Sequence, residues 1–218
     1  MNRTIICISG LGGAGKTTLA AALAEKIGAE VYSLGAICRA IAYYMELNKM
    51  GVCNAGVVDK IMKDPPAWRI IESMASSPIV QQEKYARGAV KLFQVPEVAH
   101  WCLEYMKLLP FSFGDCPQIF EGRGIGRLFP TAPVKIWLDG DKETRFRRKH
   151  TDAEKFGPAV YSDTVKSNAM RDELEAQNTL VPAKPGHGDI RIDTTRMTRE
   201  QVLAYVIAVC NYKTLSRH

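Results

Sequence analysis

Apolar positions along this chain come with two periods, and the alternation between them predicts the elements. Ile5–Ile8 is a continuous apolar run of strand length, and PQIFE (117–121) and VKIWL (134–138) read the same way. Between the strands the spacing turns helical. Thr17–Ile27 sets Leu19, Leu23 and Ile27 on one face among alanines, and Gly28 supplies the stop. Glu30–Ser33 is a short strand candidate. A second helix from Gly35 to about Lys49 carries Ile37, Ile41, Tyr44 and Met45 as its stripe, with Gly51 expected to end it. Residues 52–95 read as irregular helix broken by Pro65, Pro66 and Pro78. Pro96 suits the first turn of a helix to about Leu108, whose buried face is Val98, Cys102, Leu103 and Met106. Trp68 and Trp101 sit among helical apolar neighbours and are expected to pack there.

The second half continues the alternation. A helix begins near Asp141 and carries Arg145, Arg147, Arg148 and Lys149. Residues 151–182 are polar, with a helix predicted around Asp163–Gln177. Ile190 and Ile192 alternate with charged residues in a last strand, and Thr198 with Gln201 forms a capping box for a helix to about Asn211. Strands alternating with helices predict an α/β fold, a parallel sheet covered on both faces. Ligands of such sheets bind at the carboxyl ends of the strands. Gly10, Glu121 with Arg123, Asp139 and Asp193 all fall at predicted strand ends, so one rim should hold the site.

Composition narrows the classes. The 218 residues suffice for one well-cored domain, with ordinary globular proportions of 46% hydrophobic and 24% charged residues. No apolar run has membrane-spanning length, and the core strand opening at Ile5 leaves no room for a signal peptide. The six cysteines show no paired spacing and are expected to be reduced thiols of a cytoplasmic protein. The net charge of +6 fits either general nucleic-acid affinity or arginines gathered around phosphorylated small molecules. No basic tail is present, which favours the second.

The candidate chemistry starts in IICISGLGGAGKTT, Ile5–Thr18. Gly10, Gly15, Lys16 and Thr17 make G-x-x-x-x-G-K-T, flanked by a strand and a helix as a phosphate-binding loop requires. A chance match of the four positions in such a chain has a probability of roughly 1%. The loop from Gly10 through Gly12, Gly13, Ala14 and Gly15 lets consecutive backbone N–H groups curl around a triphosphate, and Thr18 lies in the helix's first turn. Lys16 supplies a point charge toward the β- and γ-phosphates, and the Thr17 hydroxyl can ligate Mg²⁺. A regulatory GTPase would carry an Asn- or Thr-Lys-x-Asp motif, which is missing, and a motor would need a longer chain. A small-molecule kinase uses positive charge near donor, transferred group and acceptor. Arg39, Arg123, Arg127, Arg145, Arg148 and Arg171 are the candidates.

Four segments, ISGLGGAGKTTLAAALAEKIG, SLGAICR, IFEGRGIGRLFPTAPVKIWLD and RIDTTRMTREQV, resemble the cytidylate kinases of the nucleoside monophosphate kinase group, with 45–95 matching loosely. The resemblance implies a five-stranded parallel sheet flanked by helices, a helical acceptor-binding insert at about 35–95 and a lid at about 151–182. The core would then be 1–34, 96–150 and 183–218 of a single domain. It implies ATP- and Mg²⁺-dependent phosphoryl transfer to CMP or dCMP by a cytoplasmic monomer, with no nucleic-acid or membrane partner. By that resemblance Arg39 and Arg123 grip the acceptor phosphate, Glu121 lies near the metal beside Thr17, and Arg145 and Arg148 face the ATP side. Arg171 closes over the transferred group and Asp172 holds the acceptor ribose.

Departures from the family pattern are specific. Gly124 stands where bacterial members carry an aspartate that reads the cytosine edge, although archaeal-type members also lack it. Val90 and Ala99 fall on two further base-reading positions, Asn168 and Glu175 on two lid arginines, and Ser33-Leu34-Gly35 on an Asp-Ser-Gly. Each lost base contact removes about 1–3 kcal/mol of discrimination. A kinase for another nucleotide or a small metabolite, or a nucleotide-binding regulatory protein with weak transfer, is the alternative expectation.

Overall fold

A computed structural model describes residues 4–51, 55–112, 116–155, 158–177 and 184–215. They form two compact units, Met1–Ser33 with Lys107–His218, and Leu34–Met106.

The first unit is built on five parallel strands: β1 (Ile5–Gly10), β2 (Glu30–Ser33), β3 (Gln118–Glu121), β4 (Val134–Asp139) and β5 (Ile190–Asp193), in the order β2-β3-β1-β4-β5. Central strands of a covered parallel sheet are buried on both faces, which is why β1, β3 and β4 read as apolar runs. On one face Ile6, Ile8, Ile119, Val134, Ile136, Leu138 and Ile192 pack with Leu19 and Leu23 of α1 (Lys16–Ile27) and Val202 and Val206 of α9 (Arg199–Leu215). Each such side chain contributes about 1.5–3 kcal/mol by leaving water. On the other face Phe120 stacks on Tyr32 at 5.1 Å and meets Phe129 at 4.4 Å. The register sets Ile8 beside Glu121, Gly10 beside Leu138 and Asp139 beside Asp193, so the predicted rim exists.

Local signals place the helix ends. Gly28 is left-handed at φ 65° and its N–H bonds Ala24 O, closing α1. Thr198 and Gln201 bond each other's backbone N–H groups at 3.2 and 2.9 Å, the expected capping box. Asp141 caps α7 (Lys142–Glu154), accepting from the Thr144 N–H at 2.9 Å. α8 spans Tyr161–Ala176; parts of the expected lid on either side, 156–157 and 178–182, lie outside the described residues.

The second unit holds α2 (Leu34–Leu47), α3 (Ala55–Met62), α4 (Pro65–Ala75), a 3-10 turn (Pro78–Gln81), α5 (Glu83–Phe93) and the first part of α6 (Pro96–Ser112). Gly51 does not end α2. Lys49 turns left-handed at φ 49°, with Lys49 N–H bonded to Glu46 O and Met50 N–H to Met45 O. Those two carbonyl bonds offset the roughly 1–2 kcal/mol strain of a side chain in that conformation. The start of α6 packs within this unit: Trp101 meets Trp68 of α4 edge-on at 4.3 Å and stacks on Tyr105 at 5.3 Å. Both tryptophans thus pack as expected. Cys7, Cys38, Cys102, Cys116 and Cys210 are joined in no disulfide, and Cys53 lies outside the described residues. No helix among the described residues is long and apolar enough to cross a membrane.

Candidate active site

β1 delivers the chain to the rim, and the glycines there answer to close neighbours. Gly10 has φ 142°, and a Cβ on it would lie 2.2 Å from Leu138 O. A Cβ on Gly13, at φ 78°, would lie 2.3 Å from Arg145 O, and one on Gly12 would lie 2.7 Å from the Arg123 guanidinium. The loop is thus pressed between β4, α7 and the turn after β3. Gly15 precedes α1 in the left-handed conformation with no side-chain cap. The first-turn N–H groups are therefore available to an anion, where a side-chain cap would have competed for them.

Lys16 curls back to donate to Leu11 O at 2.9 Å. Desolvation chiefly, and then the neighbouring Arg123, push its ammonium down to about 7; Lys149 and Arg171 act in the same direction and Glu121 opposes them. Burial first and then Arg171 likewise push Arg123 downward, against Asp172. Arg171 therefore lies within electrostatic reach of both, and the site holds an excess of cations suited to a polyphosphate.

Ion pairs organise these cations. Arg145, 4% exposed, donates to Gly12 O at 2.9 Å, to Gly140 O at 3.1 Å and to Asp172 Oδ2 at 2.8 Å. Arg123 donates to Asp172 Oδ1 at 3.2 Å. Arg148 is placed differently: it donates to Thr194 Oγ1 at 3.0 Å and Thr194 O at 2.7 Å, in the wall behind the loop. The Thr194 hydroxyl in turn donates toward Asp139 O at 2.8 Å and Ala14 O at 3.3 Å. Sequence reading missed Thr194, although its place immediately after β5 puts it on the rim. It also missed Ser9, whose hydroxyl accepts from the Gly126 N–H at 3.1 Å and ties the turn after β3 to β1.

Glu121 is 4% exposed at the end of β3. Thr17 Oγ1 donates to its Oε1 at 3.4 Å, and the Ser33 hydroxyl donates to the same oxygen. Such hard oxygen donors beside a phosphate loop fit Mg²⁺, which takes one or two carboxylates and completes its shell with water and substrate oxygens. No group of three or more His, Cys, Asp or Glu suited to a metal occurs among the described residues, and this mode needs none. Thr18 is exposed at the start of α1. Asn168 is buried, with its amide donating to Thr164 O at 2.8 Å and its Oδ1 lying 3.9 Å from the Gly12 Cβ position. Gly124 is left-handed at φ 66°. Arg39, Val90 and Ala99 belong to the second unit, where Val90 and Ala99 are buried. The Glu175 side chain lies outside the described residues.

A parallel sheet that ends in a lysine-bearing phosphate loop ringed by arginines defines a P-loop kinase. The cytidylate kinase family profile matches residues 6–212, and the chain belongs to that family. It is a nucleoside monophosphate kinase by class, an enzyme of nucleotide phosphoryl transfer. A cytidylate kinase of Dichelobacter nodosus is 28% identical over 218 residues, covering 95% of this chain and 96% of the relative. One from a Marinomonas species is 29% identical over 217 residues, with 94% of each chain covered. In fold, the chain is similar to an uncharacterized Eubacterium ventriosum protein of known crystal structure, at 15% identity and TM-score 0.54, covering 94% of this chain and 97% of that one.

The depressed Lys16 gives the nucleotide-free enzyme a distinctive pH dependence. Above about pH 7 the unfolded chain still binds a proton at Lys16 that the folded chain has released, so stability should rise with pH. Above about pH 9 the buried thiols oppose this rise, because burial holds Cys7 up at about 12 and Cys210 at about 11 while the unfolded thiols ionise. The rising slope stays below about 1.4 kcal/mol per pH unit, reduced by the part of Lys16 still open to water. Urea denaturation across this range without nucleotide measures it, and stability that falls between about pH 7 and 9 contradicts the assignment.

Proposed function

We propose that this enzyme transfers the γ-phosphoryl group of ATP to CMP or dCMP, giving ADP and the diphosphate. The observation that carries this reading is the convergence of Lys16, Arg123 and Arg145 on the Gly12 segment of the loop. That arrangement suits a reaction in which charge moves between two phosphates. A phosphate oxygen of the acceptor is already a competent nucleophile, so positioning and charge neutralisation supply the catalysis.

In this proposal the loop amides from Gly10 to Thr18 and Lys16 hold the donor phosphates, with Arg145 bracing the loop at Gly12. Arg148, tied to Thr194 behind the loop, faces the donor side. Mg²⁺, held by Thr17 and by Glu121 through water, would neutralise charge on the β- and γ-phosphates. Arg39 and Arg123 position the acceptor phosphate, Gly124 lies beside the acceptor, Asp172 holds its ribose, and Arg171 closes over the transferred group with the lid at about 151–182. The insert at about 35–95 carries the acceptor.

The apolar, buried Val90 and Ala99 favour a second reading, in which the acceptor is another nucleoside monophosphate or a phosphorylated metabolite. ADP release measured with CMP, dCMP, UMP, AMP and GMP separates the two. CMP or dCMP should exceed the others by about tenfold or more, as one or two retained base contacts would give. Equal rates on all five, or none on any, would transfer the assignment to the second reading.

A further inference from the structure

We infer that Asp172 is an internal counter-anion which occupies, in the substrate-free enzyme, the place of a phosphoryl group between Arg123 and Arg145. Its two carboxylate oxygens are divided between the arginines, Oδ1 to Arg123 at 3.2 Å and Oδ2 to Arg145 at 2.8 Å. A tetrahedral phosphoryl group presents oxygens to two guanidinium groups in the same divided manner. All three side chains are largely withdrawn from water, 16% exposed for Arg123, 5% for Arg145 and 18% for Asp172. The Arg145 nitrogen that meets Asp172 also donates to Gly12 O, and Arg123 overlies Gly12, so the carboxylate sits above the phosphate loop itself.

Two consequences follow for binding. A polyphosphate entering the loop must displace Asp172 before either arginine can serve it, so affinity for phosphate anions alone is held down. The second consequence rests on the proposed contact of Asp172 with the acceptor ribose. An acceptor that draws Asp172 onto its hydroxyls releases both arginines to the phosphates when transfer can occur. Without acceptor, water attack on the γ-phosphorus, which would break its bond to the β–γ bridging oxygen and yield ADP, phosphate and a proton, proceeds with the arginines still engaged. Asp172 thereby biases the enzyme toward transfer over hydrolysis.

The test compares wild type with Asp172→Asn and Asp172→Glu by calorimetric titration with inorganic tripolyphosphate, which no acceptor influences. The Asn variant should bind tripolyphosphate about tenfold more tightly and the Glu variant close to wild type. The absolute rate of ADP release without acceptor should rise about fivefold in the Asn variant. A carboxylate serving only to tie α8 down predicts the opposite, and a folded Asn variant with unchanged or weaker tripolyphosphate affinity overturns the inference. Should that variant fail to fold, hydrogen exchange of α8 in wild type decides: tripolyphosphate should accelerate it, and slower or unchanged exchange refutes the displacement. A failed acceptor panel alters which nucleotide stimulates transfer and leaves the tripolyphosphate result standing, so the two readings fail separately.

Discussion

Lys16→Ala should lower the rate of phosphoryl transfer by roughly 10²–10³-fold while leaving the fold intact. The ammonium is the one lysine charge inside the loop motif, already desolvated and held near the phosphate path by its bond to Leu11 O. Its task is to meet negative charge as the γ-phosphoryl group leaves, and an alanine methyl cannot meet it. The same geometry predicts that the loss is not one of stability. Arg123, Arg171 and Lys149 all disfavour a charge at Lys16, so removing it relieves repulsion in the nucleotide-free protein. The variant should melt at or slightly above the wild-type temperature. Steady-state ADP release beside a thermal melt tests both halves. Activity within a few-fold of wild type would remove the loop lysine from the mechanism, and a large drop in melting temperature would show that it mainly supports the fold.

Gly10→Ala should have the larger structural effect, about 3–5 kcal/mol of lost stability. A methyl group there would stand 2.2 Å from Leu138 O, a backbone atom of the neighbouring strand that cannot rotate away. The backbone at φ 142° adds strain of its own for any residue with a side chain. Relief requires moving β1 from β4 at the rim, which disturbs the pairing of Gly10 with Leu138 and the loop that follows. Against a typical stability of about 5–15 kcal/mol, the protein would retain a weakened sheet and lose nucleotide affinity. Urea denaturation reads the first effect and calorimetric titration with ATP the second. A change below about 1 kcal/mol would mean that the two strands part without cost.

Both predictions rest on residues visible in the sequence, and that visibility has a physical limit. The loop motif was legible because a phosphate cradle is made of consecutive backbone groups, so its chemistry is written in consecutive residues. Gly28, the Thr198–Gln201 box and Asp141 were legible for the same reason, each satisfying donors or acceptors within one helical turn. Where several local stops competed, reading failed: Gly51 looked the better terminator of α2, but the chain had already turned at Lys49, two residues earlier. Trp68 and Trp101 meet edge-on although they stand thirty-three positions apart, a contact that no local pattern announces. Arg148 is tied to Thr194, forty-six positions away, another partner that no local pattern announces.

The sequence by itself determined the alternation of strands and helices, the phosphate loop with Lys16 and Thr17, and the resemblance that named its family. These depend on periodicity and on neighbours within a few residues, where covalent connection does the positioning. Only the tertiary structure decided that Asp172 stands between Arg123 and Arg145, and that Ser33 and Thr17 share Glu121. Those partners are separated by 27 to 104 positions in the chain. Charges attract any opposite charge within reach. Which of them comes within reach is settled by how the helices return the chain to one rim of the sheet.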